Sequence, residues 1–578
     1  MWRSAWAGCS GCGCDGAAAR VTYDGRQRGV SPLTSRPASS SAAPLEVDAR
    51  ARRLIVVGAI LALFVGALDA TIVATAVPSI VGDLGGIDLL AWVFTAYLLT
   101  STVTLPLAGK TGDLFGRKPL FLVAVVVFVV ASMAAGAAPS MEALIGARAL
   151  QGIGAGLIFA TTMAVIADLY SPLERGRVQG AVAGVFGIAS VIGPTMGGWI
   201  TDVSTWRWIF FLNLPVGAVA FVAILFLMPW TRPPREGEAR IDFVGAALLA
   251  AAVVPFLLAM VWGGDRYEWV SVETAGLIAV SLVALAAFVA VEARVAEPLV
   301  PLFLFRNKVF AVSVVLLLFT GAGMFGALTL IPLYLQGVTG ASARLSGTLM
   351  TPMMIAVPIS AAFAGQMMSR TGRYKILLIV GVVLLAAGMF SFATVDEQTS
   401  RAEAIARMIV MTLGLGVTLP LLQVVVQNAV PFSVVGVATA SVQFFRQIGG
   451  TLGVAILTGI MVGRFREGLD DAASGLPAVL DDPSALLNES VVAGLQQRYE
   501  ASATAADPAF EVVLAAARVS LADAISLVFV VGGVIVACSL IAAIVLPELE
   551  LQSTSPAEMA RREAAERAAP GEGGNQDA

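Results

Sequence analysis

The chain contains no histidine and little charge. Of its 578 residues, 13% are Asp, Glu, Lys or Arg. Soluble domains carry about 25% charged residues, so a soluble enzyme and a disordered chain are both excluded. Without histidine there is no His-based triad, no imidazole proton relay and no His metal site. The net charge of −4 and pI near 5.3 offer nothing to neutralise a phosphate backbone, so no nucleic-acid partner is expected. Four cysteines cannot form a disulfide framework in a chain of this length. No G-x-x-x-x-G-K-[ST] phosphate loop occurs, which disfavours ATP-driven work. Apolar residues are what the chain has in abundance: 58% are hydrophobic, 58 are glycine, and the mean hydropathy is +0.86. That is the composition of helices packed in lipid.

Residues 1–50 are rich in Ser, Gly, Ala, Pro and Arg without periodicity. They read as a disordered extension and not as a signal peptide. Cys9, Cys12 and Cys14 fall in this stretch, but no fourth ligand accompanies them. A disordered leader is favoured over a soft-metal site, and no cofactor or metal is expected. Cys538 lies in an apolar run and reads as a packing residue.

A helix needs about 20 apolar residues to cross a bilayer. Fourteen runs qualify: 54–79, 89–109, 119–139, 143–167, 178–200, 207–229, 242–262, 274–292, 309–335, 346–367, 376–395, 404–430, 435–462 and 519–546. An even number puts both termini on one side, and Lys and Arg choose that side. Arg50, Arg52 and Arg53 precede the first helix, and the even-to-odd links hold Lys110, Arg117, Lys118, Arg175, Arg177, Arg232, Arg235, Arg240, Arg294, Arg306, Lys308, Arg370, Arg373 and Lys375. The opposite links hold little beyond Arg207, Arg266, Arg344 and Arg401. Cytoplasmic termini follow. The stretch 463–518 is then an outer loop, and 548–578 a disordered cytoplasmic tail.

Three landmarks repeat at an offset of about 255 residues: Pro78, ending the first helix, with Pro332; Gly109 with Gly365; Arg148 with Arg407. The repeat predicts an all-α membrane protein of two parallel six-helix halves, 54–230 and 309–547. Two extra helices at 242–294 lie between them. Parallel repeats are a transporter architecture with the substrate site between the halves.

Asp69 lies well inside the first apolar run. A carboxylate at that depth is costly, faces the protein interior and serves a purpose. Desolvation disfavours the charged form of a carboxyl, so such a group is suited to binding and releasing a proton. A hydrogen-bonded packing role is the alternative. The repeat counterpart of Asp69 is Gly323, so a proton site would belong to the N-terminal half alone. Arg148, inside the fourth run, keeps its charge. It needs acceptors, either a deep carboxylate such as Asp69 or backbone carbonyls. A fixed cation favours the ionised form of a nearby acid, and its withdrawal favours the protonated form. Proton affinity and conformation are then linked.

The string Gly109-Lys-Thr-Gly112-Asp113-Leu-Phe-Gly116-Arg117-Lys118 reads as a tight reversal with positive φ at its glycines. Asp113 can pair with Arg117 at i,i+4 or cap a neighbouring helix, and Asp168 is a second partner for Arg117. The group reads as a charged latch. The fifth run carries Gly187, Gly193, Pro194, Gly197 and Gly198, a spacing that permits close helix contact. Further polar side chains inside apolar runs are Arg407, Gln423, Arg446 and Gln447.

The strings LDATIVATAVP, GKTGDLFGRK, RALQGIGAG, GPTMGG, WRWIFFLNLP and FFRQIGG together resemble the major facilitator superfamily, most of all its fourteen-helix drug:proton antiporter branch. The resemblance runs from about residue 54 to 547. It implies proton-driven efflux, a coupling Asp in the first helix, a cytoplasmic Asp/Arg latch and a fifth-helix Gly-Pro element associated with antiport. These map onto Asp69, Asp113 with Arg117, and Gly193 with Pro194. Ala74 departs from the family string, which more often has Asn there.

The reading is therefore not an enzyme. It is a monomeric exporter of small amphipathic compounds in exchange for protons across the cytoplasmic membrane. Dedicated export of a metabolite, lipid or siderophore is the alternative, and a non-transporting sensor is a weaker one. Deep acids other than Asp69 are scarce, with the shallower Asp523 as the reserve coupling site. This scarcity favours monocationic or neutral substrates over polyvalent cations.

Overall fold

The computed structural model describes residues 48–86, 89–230, 242–263, 267–295, 297–396, 398–431, 434–472 and 510–551, with residues 494, 496, 497 and 499 besides. The N-terminal extension through 47, with its three cysteines, lies outside the described residues. So do Arg232, Arg235, Arg240, Arg266, most of 473–509 and the tail beyond 551.

Fourteen helices among the described residues are long and apolar enough to span a bilayer. They are α1 (Ala49–Leu84), α2 (Leu90–Phe115), α3 (Arg117–Gly136), α4 (Met141–Leu169) and α5 (Pro172–Val203). Then follow α6 (Trp208–Leu227), α7 (Phe243–Trp262), α8 (Val272–Glu292), α9 (Lys308–Leu333) and α10 (Ala343–Thr371). The last four are α11 (Lys375–Phe392), α12 (Arg401–Ala429), α13 (Val435–Ala472) and α14 (Phe510–Val545). A helix is forced here because lipid offers nothing to an unpaired peptide group. Local side chains close the ends. Asp48, Ser140, Ser171, Asp242, Ser271, Asn307, Ser342 and Ser400 each accept from a backbone N–H of the first turn that follows.

Three boundaries differ from the sequence expectation. Pro78 does not end α1, which runs on to Leu84 and leaves the helix at Gly85 and Gly86, with φ of 68° and 70°. One missing donor is tolerated in a packed membrane helix, whereas the left-handed exit needs glycine. The Gly109–Lys118 string is not an extended reversal. Residues 109–115 are the last turns of α2, Arg117 opens α3, and Gly116 alone (φ 93°) makes the turn. The loop expected from 463 starts later. α13 continues to Ala472 and α14 begins at Phe510, because Phe465 and Leu469 are buried with Val513 and Ala517 in one core, and the Ser520 hydroxyl donates to the Phe465 carbonyl at 2.9 Å.

Two cores form. One is built almost wholly from α1–α8 and the other from α9–α14. The halves meet along two seams, α2 against α13 and α5 against α10. The extra helices α7 and α8 pack on each other, and α7 also touches α2 and α13, so the pair stands beside the first seam. Exposed apolar side chains such as Trp199, Phe226 and Val283 form the lipid-facing surface. At the end opposite the α2–α3 turn, Asp83 of α1 accepts from Trp206 at 3.0 Å and pairs with Arg207. These bonds hold its carboxyl below the usual range and tie α1 to the α5–α6 link.

Candidate functional site

Asp69 is completely buried, and both its oxygens are engaged. Arg148 of α4 donates to Oδ2 as a close ion pair. Gln151, one turn further along α4, donates its amide to Oδ1 at 2.8 Å, and Asn213 at the start of the main segment of α6 donates to the same oxygen at 2.9 Å. Arg148 in turn reaches the Gln151 Oε1 at 2.7 Å and the Val93 carbonyl at 3.3 Å, with Tyr97 stacked 4.3 Å from its guanidinium carbon. Asn213 is steadied by the Ser132 hydroxyl at 2.9 Å. Both acceptors foreseen for Arg148, the deep carboxylate and a backbone carbonyl, are in use. A buried ion pair balanced in this way is sensitive to losing either member. Gln151 and Asn213 were not singled out in the sequence reading. Gln151 was findable, because three residues from Arg148 is the same helix face. Nothing local marked Asn213.

The glycines of α5 divide by neighbour. A methyl group at Gly197 would stand 2.8 Å from the Ile72 carbonyl, and Thr71 donates to the Ala189 carbonyl at 3.1 Å. Gly193 also abuts Thr71. α5 thus presses on α1 beside Asp69. Gly187 faces the other way, toward Pro358 of α10. Gly198 has open space around it, so packing does not explain it, and Pro194 is exposed.

At the end carrying the α2–α3 turn, Arg117 binds Asp113 at 2.5 Å and Asp168 at 3.0 Å. The second oxygen of Asp113 accepts the Val437 N–H at 3.0 Å. Asp113 therefore pairs within its own half and also caps the first turn of α13 in the other half, where a helix N-terminus favours an anion. Gly109 lets this seam close: a methyl there would lie 2.7 Å from the Gly436 carbonyl, and one at Gly112 would lie 2.8 Å from the Arg117 guanidinium. The second seam is equally tight, with Gly176 against Gly365 and Arg175 donating to Gln427 at 3.4 Å. Lys118 stands apart from this cluster. It donates to the Leu225 and Met228 carbonyls at 2.7 and 2.5 Å and closes the end of α6.

Between the halves lies a cavity of about 1660 Å³. Thr71, Tyr97, Phe186, Phe325 and Trp269 are on its wall, as are Gln423, Arg446 and Gln447, and it extends to Gln336, Gly463 and Arg466 away from the Asp113 cluster. Asp69 lies behind this wall. Arg407, the repeat partner of Arg148, is not brought to the cavity. It pairs with Glu403 and donates to the Ser391 carbonyl and Thr394 hydroxyl near the end of α11. Gly323, the counterpart of Asp69, is packed instead against α14: a methyl there would meet the Gly532 carbonyl at 2.8 Å. Asp523 is exposed on α14.

The sequence profile of the Major Facilitator Superfamily matches residues 59–454. The multidrug transporter protein MdtP of Bacillus subtilis is 37% identical over 528 residues, which covers 89% of this chain and 97% of that protein. Multidrug resistance protein 3 of the same organism is 33% identical over 425 residues, covering 73% of this chain and 82% of that protein. Among solved structures, the proton:xylose symporter XylE bound to 6-bromo-6-deoxy-D-glucose superposes with a TM-score of 0.57 at 14% identity, over 89% of this chain and all (100%) of that one. It shares the fold.

Proposed function

Since this chain belongs to the major facilitator superfamily, we propose that it exports small amphipathic compounds across the cytoplasmic membrane in exchange for protons, as a monomer. The observation that carries the reading is the cavity between the halves with the Asp69–Arg148 pair directly behind its wall. Curated relatives named as multidrug proteins support the substrate class, and a cavity and ion pair complete within one chain support the monomer. Binding to a mostly apolar wall accepts many apolar bodies.

Alternating access needs an end that closes. The Asp113–Arg117–Asp168 cluster sits where the halves touch, and the cavity reaches toward the opposite end. With the basic end cytoplasmic, this is the outward-facing arrangement. Protonation of Asp69 would release its hold on Arg148, Gln151 and Asn213, three groups on two other helices. Proton binding would thus be coupled to how α1, α4 and α6 sit. Such linkage is what lets a proton gradient do work on a substrate.

The test is flux through the purified full chain in proteoliposomes, with an imposed pH gradient and a panel of amphipathic dyes. Accumulation against the dye gradient, collapsing with a protonophore, is expected. Dye movement that ignores the pH gradient for every member of the panel would sink the proton-coupled reading. Sidedness has its own check. A Ser484→Cys substitution in a cysteine-free background should react with an impermeant maleimide added outside intact cells. Modification from the cytoplasmic side alone would reverse the topology.

A further inference from the structure

Arg446 differs from three other guanidinium groups set between helices: among the described residues its terminal nitrogens have neither an anion nor a carbonyl. Arg148 has Asp69, Arg117 has Asp113 and Asp168, and Arg175 has the Ala167 and Tyr170 carbonyls at 2.5 and 2.9 Å. Arg446, in the first half of α13, donates its Nε to the Gln443 Oε1 at 3.0 Å and lies over the Phe325 ring, 5.3 Å from the ring centre. Its terminal nitrogens meet no acceptor among the described residues, and the residue lines the cavity. A permanent cation in the membrane interior is expensive and marks a substrate or ion path when it faces a cavity. Close by in the same wall, the Gln423 amide nitrogen is buried with no partner. Arg446 thus offers the cavity a donor fork that lacks an acceptor among the described residues.

The charges on the wall sharpen the argument. Among the described residues its ionisable side chains are Arg446, Arg466, Glu268 and the phenols of Tyr97 and Tyr267. Glu268 and Arg466 are exposed, on the α7–α8 link and the far part of α13. Asp69 contributes nothing to this balance, because it is behind the wall and its oxygens are taken. Among the described residues, the deep part of the cavity therefore presents positive charge with no carboxylate. A cationic compound would meet an uncompensated like charge there, which is how a site rejects a ligand. A carboxylate would find a planar fork that matches it in two bonds. Met324, Phe325 and Phe186 on the wall would take its apolar body.

We propose that Arg446 anchors an acidic group of the transported compound, so that the cavity prefers amphipathic carboxylates over their neutral or cationic analogues. This rests on the reading of the cavity as the substrate path, and it replaces the sequence-based preference for monocationic or neutral substrates. That preference counts acids alone.

The test uses the full chain in nanodiscs at neutral pH, with three probes sharing one apolar body: 1-pyrenebutyric acid, its methyl ester and 1-pyrenebutylamine. Binding is read by fluorescence against empty nanodiscs. Hydrogen bonds to a charged partner outweigh neutral ones, so the acid should bind about tenfold tighter than the ester, with the amine weakest. Arg446→Gln should bring acid and ester together while leaving ester affinity within about twofold. Arg446→Lys should keep part of the preference, because it retains the charge and loses the fork. The wild-type acid-to-ester ratio is itself decisive, so a variant that fails to fold rescues nothing. If ester and amine bind and the acid binds no better, this proposal is overturned and the export reading stands. If Arg446→Gln keeps the full preference, the anchor is elsewhere and the proposal fails. If none of the probes binds, the substrate-path reading falls and takes this one with it.

Discussion

Asp69→Asn should abolish gradient-driven accumulation while leaving the protein inserted in the membrane. Asn has the shape of Asp and can still accept from Gln151 and Asn213, but it does not titrate and does not neutralise Arg148. On the proposed reading the substitution removes the proton cycle, and it strands a buried cation. Breaking one side of a buried pair costs about 3–5 kcal/mol, so a lowered melting temperature is expected beside the loss of coupling. The double variant Asp69→Asn with Arg148→Gln separates the two effects. It removes both charges, so it should recover much of the stability and none of the coupling. Downhill exchange should survive in part, since the cavity wall is untouched. Asp69→Glu, with a longer reach, should couple weakly and at a shifted pH optimum. The measurement is substrate accumulation in proteoliposomes under an imposed pH gradient, with melting of each variant alongside. Full accumulation by Asp69→Asn would remove this residue from the coupling step. Asp523, the reserve expected from sequence, would then be tested first despite its exposed position.

Asp113→Asn should open the end that carries the α2–α3 turn. The carboxylate does two things at once, pairing with Arg117 and capping α13 across the seam. Asn keeps an acceptor for the Val437 N–H and loses the charge. Exposed pairs are worth about 0–1 kcal/mol, but this one is sheltered, and about 3 kcal/mol is a reasonable loss. A two-state balance of 99:1 moves to 1:99 for about 5.5 kcal/mol, so half of that brings the two states to comparable populations. Gly436→Val should act in the same direction by sterics alone, since even a methyl there would stand 2.6 Å from the Arg117 guanidinium. Spin labels at Arg177→Cys and Arg373→Cys, both exposed and one on each half, would report the separation. A long-distance population should grow from minor to major in both variants, with turnover slowed. An unchanged distance distribution in Asp113→Asn would end the latch interpretation.

Much of this protein was legible in its linear sequence, for a physical reason. Lipid imposes a local rule: a spanning segment must be long, apolar and closed at its ends by its own backbone. Each of the fourteen runs can therefore be read without knowing its neighbours. The same rule makes a charge such as Asp69 or Arg148 conspicuous inside a run, and i,i+4 spacing made the Asp113–Arg117 pair readable. Helix ends were less legible. Pro78 looked like a terminus, and the continuation of α13 and α14 past their apolar stretches depends on each helix covering the other.

Partner choice was decided only by tertiary structure. Asp69 meets Arg148, Gln151 and Asn213 across separations of 79, 82 and 144 residues, and no local pattern encodes which helices lie side by side. Packing also divided residues that looked alike. Arg117 joins Asp113 and Asp168 while the adjacent Lys118 closes α6. Gly197 is pressed on α1 while the adjacent Gly198 faces open space. Arg148 and Arg407, which the expected repeat matches, part company: one pairs with Asp69 on another helix and the other with Glu403 on its own. The direction of a charged side chain is settled by whichever acceptor the fold brings within reach. Sequence by itself determined that this chain crosses the membrane fourteen times and carries charge where charge is costly. The packing of the helices decided that Asp69 is turned away from the cavity and that Arg446 faces into it.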